Sequence, residues 1–219
     1  MPDTLENLLS DLRLIPVVRL EELSHASGLA DALVAGGLPL AEITLRTPCA
    51  LAAIEKLAGR QDIHIGAGTV LNQTQAADCI NAGAQFIVSP GLDHDLVSYC
   101  QNRDIPVFPG VSSATEIQAA YNQGLRQVKF FPAEASGISR SLGLGQARLT
   151  ALAAPFHEMK FIPTGGIDAV NLLDYLDLDC TLAVGGSWMV KPALYESGDF
   201  SQVTELTSAA VQMAKGHDD

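Results

Sequence analysis

Eight short runs of aliphatic and β-branched residues, at 14–19, 40–46, 63–69, 85–89, 105–109, 127–131, 160–164 and 181–186, leave this chain few folds to choose from. Between them lie amphipathic segments, 23–35, 49–58, 74–82, 93–102, 114–122 and 169–176, with apolar residues at helical spacing, the signature of strand and helix in alternation. Most strand-plus-helix units occupy roughly 20–27 residues, as one strand, one helix and two short loops require. The interval after Phe131 is the long exception. The core must be aliphatic, because aromatics supply only 5% of the residues within a 47% hydrophobic fraction. Parallel strands covered on both faces by helices have this composition. Eight such units within 219 residues predict a closed (β/α)8 TIM barrel, one α/β domain over 1–219, with an open doubly wound sheet as the alternative. A short extra N-terminal helix is expected over 1–12 and a last helix over 199–215. Gly36-Gly37, Asn81-Ala82-Gly83 and Asn122-Gln123-Gly124 stand where helices should end.

Charge narrows the partners. With 25 acidic against 13 basic residues, a net −12, the chain lacks the basic footprint of a nucleic-acid or anionic-membrane binder. An anionic small substrate needs only a few local cations and stays open. Apolar stretches are short, and Asp3, Glu6 and Asp11 occupy a region that would be basic in an export signal, so a cytoplasmic protein is expected. Cys49, Cys79, Cys100 and Cys180 lack CxxC spacing and read as reduced thiols. His25, His64, His94, His157 and His217 show no paired spacing, so no metal site and no cofactor are expected.

In such a barrel, chemistry sits at the C-terminal ends of the strands. Alternation along 40–46 puts Glu42, Thr44 and Arg46 on one face and Ile43 and Leu45 on the helix-facing side. A carboxylate and a guanidinium directed inward need partners or a function. Lys129 lies mid-strand, on one face with Gln127 and Phe131. A lone lysine there is either a snorkelling residue or a desolvated amine whose free lone pair can attack a carbonyl. The inward Glu42 and Arg46 favour the second reading, since a nearby cation favours the neutral amine and a carboxylate can move protons. Thr164-Gly165-Gly166 and Gly185-Gly186-Ser187 end the last two runs, where barrels commonly hold a phosphate on backbone N–H groups; a tight turn explains each pair alone equally well. Gly66-Ala67-Gly68-Thr69-Val70-Leu71 is not a dinucleotide fingerprint, because Leu71 replaces the third glycine; its useful residue is Thr69. Arg19, closing the first strand, is either a second anion-binding cation or a surface arginine. Pro90, Pro109 and Pro132 each follow a strand and stiffen the mouth.

Taken together, Glu42 to Thr47, Gly66 to Val70, Ser89-Pro90-Gly91, Phe108 to Val111, Lys129 to Glu134, Pro163 to Gly166 and Gly185 to Trp188 resemble, in order, the 2-keto-3-deoxy-6-phosphogluconate (KDPG) / 4-hydroxy-2-oxoglutarate (KHG) aldolase family. The resemblance implies a metal-independent class I aldolase, usually a homotrimer, acting on a small keto acid. It makes Lys129 the Schiff-base lysine and Glu42 the proton-transferring residue. It gives Arg46 the pyruvate carboxylate, lines the pocket with Thr69, Pro90 and Phe131, places the phosphate on Thr164, Gly165, Gly166, Gly185, Gly186 and Ser187, and puts a substrate-contacting arginine at Arg19. The interval after Ser136 is longer than the family pattern, by about one or two helical turns. It leaves the distal pocket, and with it the choice between KDPG, its galactonate epimer and unphosphorylated acids, to be defined. Arg140 and Arg148 are candidate extra phosphate contacts or solvated helix charges. An isomerase with Glu42 as base, or a phosphosugar-binding barrel, are the readings without an imine.

Overall fold

The apolar runs become parallel strands. β1 (Leu14–Val18), β2 (Leu40–Thr44), β3 (His64–Gly68), β4 (Ile87–Val88) and β5 (Val107–Phe108) pair in chain order, with β9 (Val184–Gly186) on the other edge of β1. A second parallel sheet contains β6 (Gly110–Val111), β7 (Gln127–Phe130) and β8 (Lys160–Pro163). These elements come from a computed structural model that describes residues 5–134 and 142–216. The expected run 105–109 is interrupted because Pro109 has no N–H to give to a ladder. Its carbonyl still accepts from the Lys129 N–H at 2.9 Å, which keeps β7 in register beside it. On the far side, parallel bridges Phe161↔Thr181 and Thr164↔Gly185 connect β8 to the β9 segment. A doubly wound sheet reverses its strand order in the middle, and the order β5-β4-β3-β2-β1-β9 does not, which removes that alternative.

Helices α1 (Leu5–Leu12), α2 (Ala26–Ala35), α3 (Ala50–Leu57), α4 (Gln73–Asn81), α5 (His94–Gln101), α6 (Ala114–Asn122), α7 (Leu144–Ala153), α8 (Leu172–Leu176) and α9 (Ser201–Lys215) fill the intervals. Side-chain oxygens of Asn72, Asp93 and Ser113 accept the N–H groups of Gln75, Leu96 and Glu116, satisfying first-turn donors. Gly83 and Gly124, at φ +97° and +86°, end α4 and α6, and the next residues reach back to Cys79 and Ala120. A Cβ-bearing residue adopts that conformation only at a cost.

Three expected helices start later than the apolar pattern suggests. The 23–35 segment opens as a 3-10 turn over Leu23–His25 before α2. The 169–176 segment is helical only from Leu172, because Asn171 bonds back onto the preceding turn. The last helix begins at Ser201, whose N–H donates to Asp199 at 3.0 Å. Ser136 and Arg140, in the lengthened interval, lie outside the described residues, as do His217 and the first four residues of the expected extra helix.

Two apolar clusters hold the fold. The larger lies between helices and sheet and takes Ile43 and, at its margin, Leu45, as alternation along β2 requires. The smaller lies inside the curve of the strands: Leu9 of α1 meets Ile15, Leu40, Phe86, Phe108, Ile162 and Ala183. Leu9 is fully buried, so α1 closes the floor under the polar residues that occupy the strand ends. Leu9→Ala is expected to cost about 2–5 kcal/mol, read as a lowered urea midpoint at unchanged slope.

Candidate active site

The interior changes character toward the C-terminal ends of the strands. There Glu42, Thr44, Lys129 and Thr164 are buried, at 2%, 1%, 6% and 6% exposure. They line a cavity of about 250 Å³ together with Val17, Arg46, Thr69, Pro90, Phe131, Gly165, Gly166, Ile167, Gly185, Gly186 and Ser187. Every predicted site residue except Arg19 is therefore brought to one opening. β1 ends at Val18, so Arg19 has left the strand; its exposed guanidinium pairs with Glu21 at 3.1 Å. Arg148 also stands outside the cavity, bonded to the Ser112 carbonyl and lying over the Phe130 ring. Arg140 is outside the described residues.

β2 and β7, on opposite sides of the interior, direct Glu42 and Lys129 at each other. Lys129 Nζ is 3.5 Å from Glu42 Oε1 and 5.3 Å from the centre of the Phe131 ring. Glu42 Oε1 has no hydrogen-bond donor among the described residues. A buried carboxylate oxygen left this way costs stability, and such groups persist where a ligand or reaction uses them. The close approach depends on β3: a Cβ on Gly68 would occupy the place of Glu42 Oε1. β3 then turns at Thr69, whose φ of +58° is rare for a β-branched residue, and this strained backbone lies at the cavity wall.

Arg46 stands at the mouth, just beyond β2. Its Nε donates to Thr44 Oγ1 at 3.0 Å, and that hydroxyl donates to the Val18 carbonyl at 2.7 Å. One edge of a cation is thus anchored while the rest of the guanidinium remains available for bidentate binding of a carboxylate. Opposite it, Gly185 lacks a Cβ that would strike Thr164 Oγ1, and the two glycine pairs bring bare backbone to the wall. Val17, Ile167 and the spacing role of Gly68 were not foreseen. Alternation from Ile15 would have found Val17, whereas Gly68 acts through a residue 26 positions away. Among the described residues no cluster of histidine, cysteine or carboxylate could hold a metal ion, and no helix is long and apolar enough to cross a membrane. All four cysteines are unpaired, and burial pushes the Cys79 and Cys100 thiols up to about 11.

A buried amine, a carboxylate in reach of it, a cation at the mouth and bare glycine backbone can together bind a keto acid and form an imine with it. Residues 5–206 match the family model for KDPG and KHG aldolase. The chain is 43% identical to the KHG/KDPG aldolase of Escherichia coli strain K12 over 211 residues, 96% of each protein. Among solved structures it is similar to the KDPG aldolase of Legionella pneumophila with pyruvate captured as a covalent carbinolamine, with TM-score 0.86, 39% identity and 94% and 97% of the two chains covered. It is also similar to the Zymomonas mobilis enzyme with 3-phosphoglycerate, with TM-score 0.83, 38% identity and 93% of each chain covered. The matched length and the motif strands that build the cavity assign this chain to the KDPG and KHG aldolase family.

Proposed function

We propose that this protein is a class I aldolase that reversibly cleaves KDPG to pyruvate and glyceraldehyde 3-phosphate, and that it also cleaves KHG to pyruvate and glyoxylate. The observation that carries the reading is the buried 3.5 Å approach of Lys129 Nζ to Glu42 Oε1 inside the cavity. Lys129 passes a proton to Glu42 and, as the neutral amine, adds to the C2 ketone to give a carbinolamine; Glu42 returns that proton to the carbinolamine hydroxyl, which leaves as water to give a protonated imine. Glu42 takes the proton of the C4 hydroxyl, the C3–C4 bond breaks, and its electron pair moves through C3 to the imine nitrogen. The aldehyde leaves. Protonation of the enamine at C3 and hydrolysis of the imine release pyruvate and return the amine. The imine is the electron sink, so no metal or cofactor is called for.

Arg46 pairs with the C1 carboxylate, while Thr69, Pro90 and Phe131 shape the pyruvate pocket. Thr164, the glycine pairs and Ser187 receive the distal phosphate through N–H and hydroxyl donors. Arg19 reaches a longer substrate only by leaving Glu21. The two sheets, joined through Pro109 and the β8–β9 bridges, represent one closed (β/α)8 barrel of a single domain over 1–219. By family resemblance the enzyme is a cytoplasmic homotrimer serving Entner–Doudoroff sugar-acid breakdown. Steady-state release of pyruvate from KDPG, its galactonate epimer and KHG tests the assignment: KDPG should give the highest kcat/KM, and absence of pyruvate release from all three overturns it.

Gly68 supplies a sharper check. Gly68→Ala places a methyl group where Glu42 Oε1 sits, in a strand conformation alanine adopts readily. Its expected result is a fall in kcat of about 10²-fold, the penalty that a roughly 1 Å misplacement can carry, with unchanged circular dichroism.

A further inference from the structure

The turn after β8 has no side chains with which to hold its own shape. Gly165 and Gly166 sit at φ +96° and +76°, and glycine loses the most freedom when fixed. The bridge Thr164↔Gly185 turns the Gly165 N–H toward the Gly185 carbonyl, whereas the Gly166 N–H has no hydrogen-bond acceptor among the described residues and the carbonyls are tied back. The Ala133 N–H donates to Thr164 O at 2.8 Å and the Glu134 N–H to Gly165 O at 3.0 Å. Asn171, 3% exposed, donates from Nδ2 to Gly166 O at 3.3 Å and accepts the Asp168 N–H on Oδ1 at 2.9 Å.

Glu134 is itself held. Its Oε1 accepts from the hydroxyl of Tyr175, a fully buried residue of α8, at 2.8 Å. Glu134 Oε2 is buried and has no partner among the described residues. A Cβ on Gly166 would come within 2.6 Å of the Glu134 Cβ, so the turn lies flat against the glutamate stem. From the start of α7, Gly145 closes over the hydroxyl so tightly that a Cβ there would strike it. Burial and the adjacent carboxylate push the Tyr175 phenol far up, which keeps it a donor at any working pH.

We propose that Asn171, Glu134 and Tyr175 are positioning residues that hold the Gly165-Gly166 turn at the cavity wall, with the Gly166 N–H left to a ligand, and thereby set the preference for phosphorylated over unphosphorylated substrates. The proposal rests on the aldolase reading for its substrates and on the turn geometry alone for its anion. Preorganised donors bind an anion without paying to be ordered, so loosening them weakens binding of the distal group and leaves the imine end untouched.

Tyr175→Phe removes one hydroxyl and keeps the ring in its packing. It should raise KM for KDPG about 10-fold, the scale of one hydrogen bond to a charged group, with kcat for KDPG and kcat/KM for KHG within about twofold of wild type. Asn171→Ala should act in the same direction, and Glu134→Gln, which keeps an acceptor for the phenol, should stay nearer wild type than Glu134→Ala. In parallel, inorganic phosphate should bind Tyr175→Phe about 10-fold more weakly than wild type by calorimetry. Equal losses on KDPG and KHG, or unchanged phosphate affinity, overturn the positioning role. If wild type fails to exchange the pyruvate methyl protons with solvent, the aldolase reading falls, and the phosphate titration then decides the turn proposal by itself.

Discussion

Lys129→Met is expected to lower kcat for KDPG cleavage by at least about 10⁴-fold, the scale on which enzymes lose a covalent nucleophile. The loss should not be mistaken for unfolding, because the pair is worth separating in two ways. Lys129 and Glu42 side chains are 8% and 3% exposed, and removing the ammonium leaves the carboxylate buried without its cation. Breaking one side of a buried pair costs about 3–5 kcal/mol, whereas replacing both partners with neutral groups of like volume is often harmless. Lys129→Met should therefore lose stability as well as activity. The double variant Lys129→Met/Glu42→Gln should recover most of the stability and none of the activity, as read by urea denaturation and pyruvate release. Activity that recovers along with stability would show that the lysine serves the fold.

Glu42→Gln should lower kcat by about 10²–10⁴-fold, the usual contribution of a positioned general base. The amide fits the space that Gly68 leaves, so geometry is kept and only the proton acceptor is lost. Lys129 is untouched, and pyruvate still forms its imine. The decisive readout is deuterium entry into the pyruvate methyl group, followed by proton NMR in heavy water. Exchange requires proton transfer at C3 but no aldehyde, and it should slow by the same factor as cleavage. Exchange within about threefold of wild type, with cleavage lost, would assign the C3 proton to another group and leave Glu42 serving only the C4 hydroxyl.

Much of this site was legible in a single sequence because strand alternation is a local rule. Once Ile43 and Leu45 face the helices, Glu42 and Thr44 must face inward, and the same parity turns Lys129 toward them. The cavity is thus where two alternations meet inside the curve of the parallel strands. Arg19 shows the limit of that reasoning. Alternation holds only while the backbone stays extended, and β1 ends one residue before it, with Glu21 offering a nearer partner than the cavity. The supports were harder to see, because contacts such as Gly68 under Glu42 or Tyr175 on Glu134 join residues far apart in the chain. Asn171 left a faint trace three residues after Asp168, a spacing at which a short amide reaches back to the backbone. The same bond removed the first turn expected of α8. Pattern predicts which face a residue takes, while the length of a strand or helix is decided by such individual bonds.

The chemistry depends on a covalent imine on one lysine. Incubating the protein with pyruvate and sodium borohydride, then mapping the adduct by peptide mass spectrometry, measures it directly. One modification per chain is expected, on Lys129, heavier by pyruvate less water plus the two hydrogens of reduction, and absent from Lys129→Met. An unmodified chain, or an adduct that maps to another lysine and persists in Lys129→Met, would contradict it.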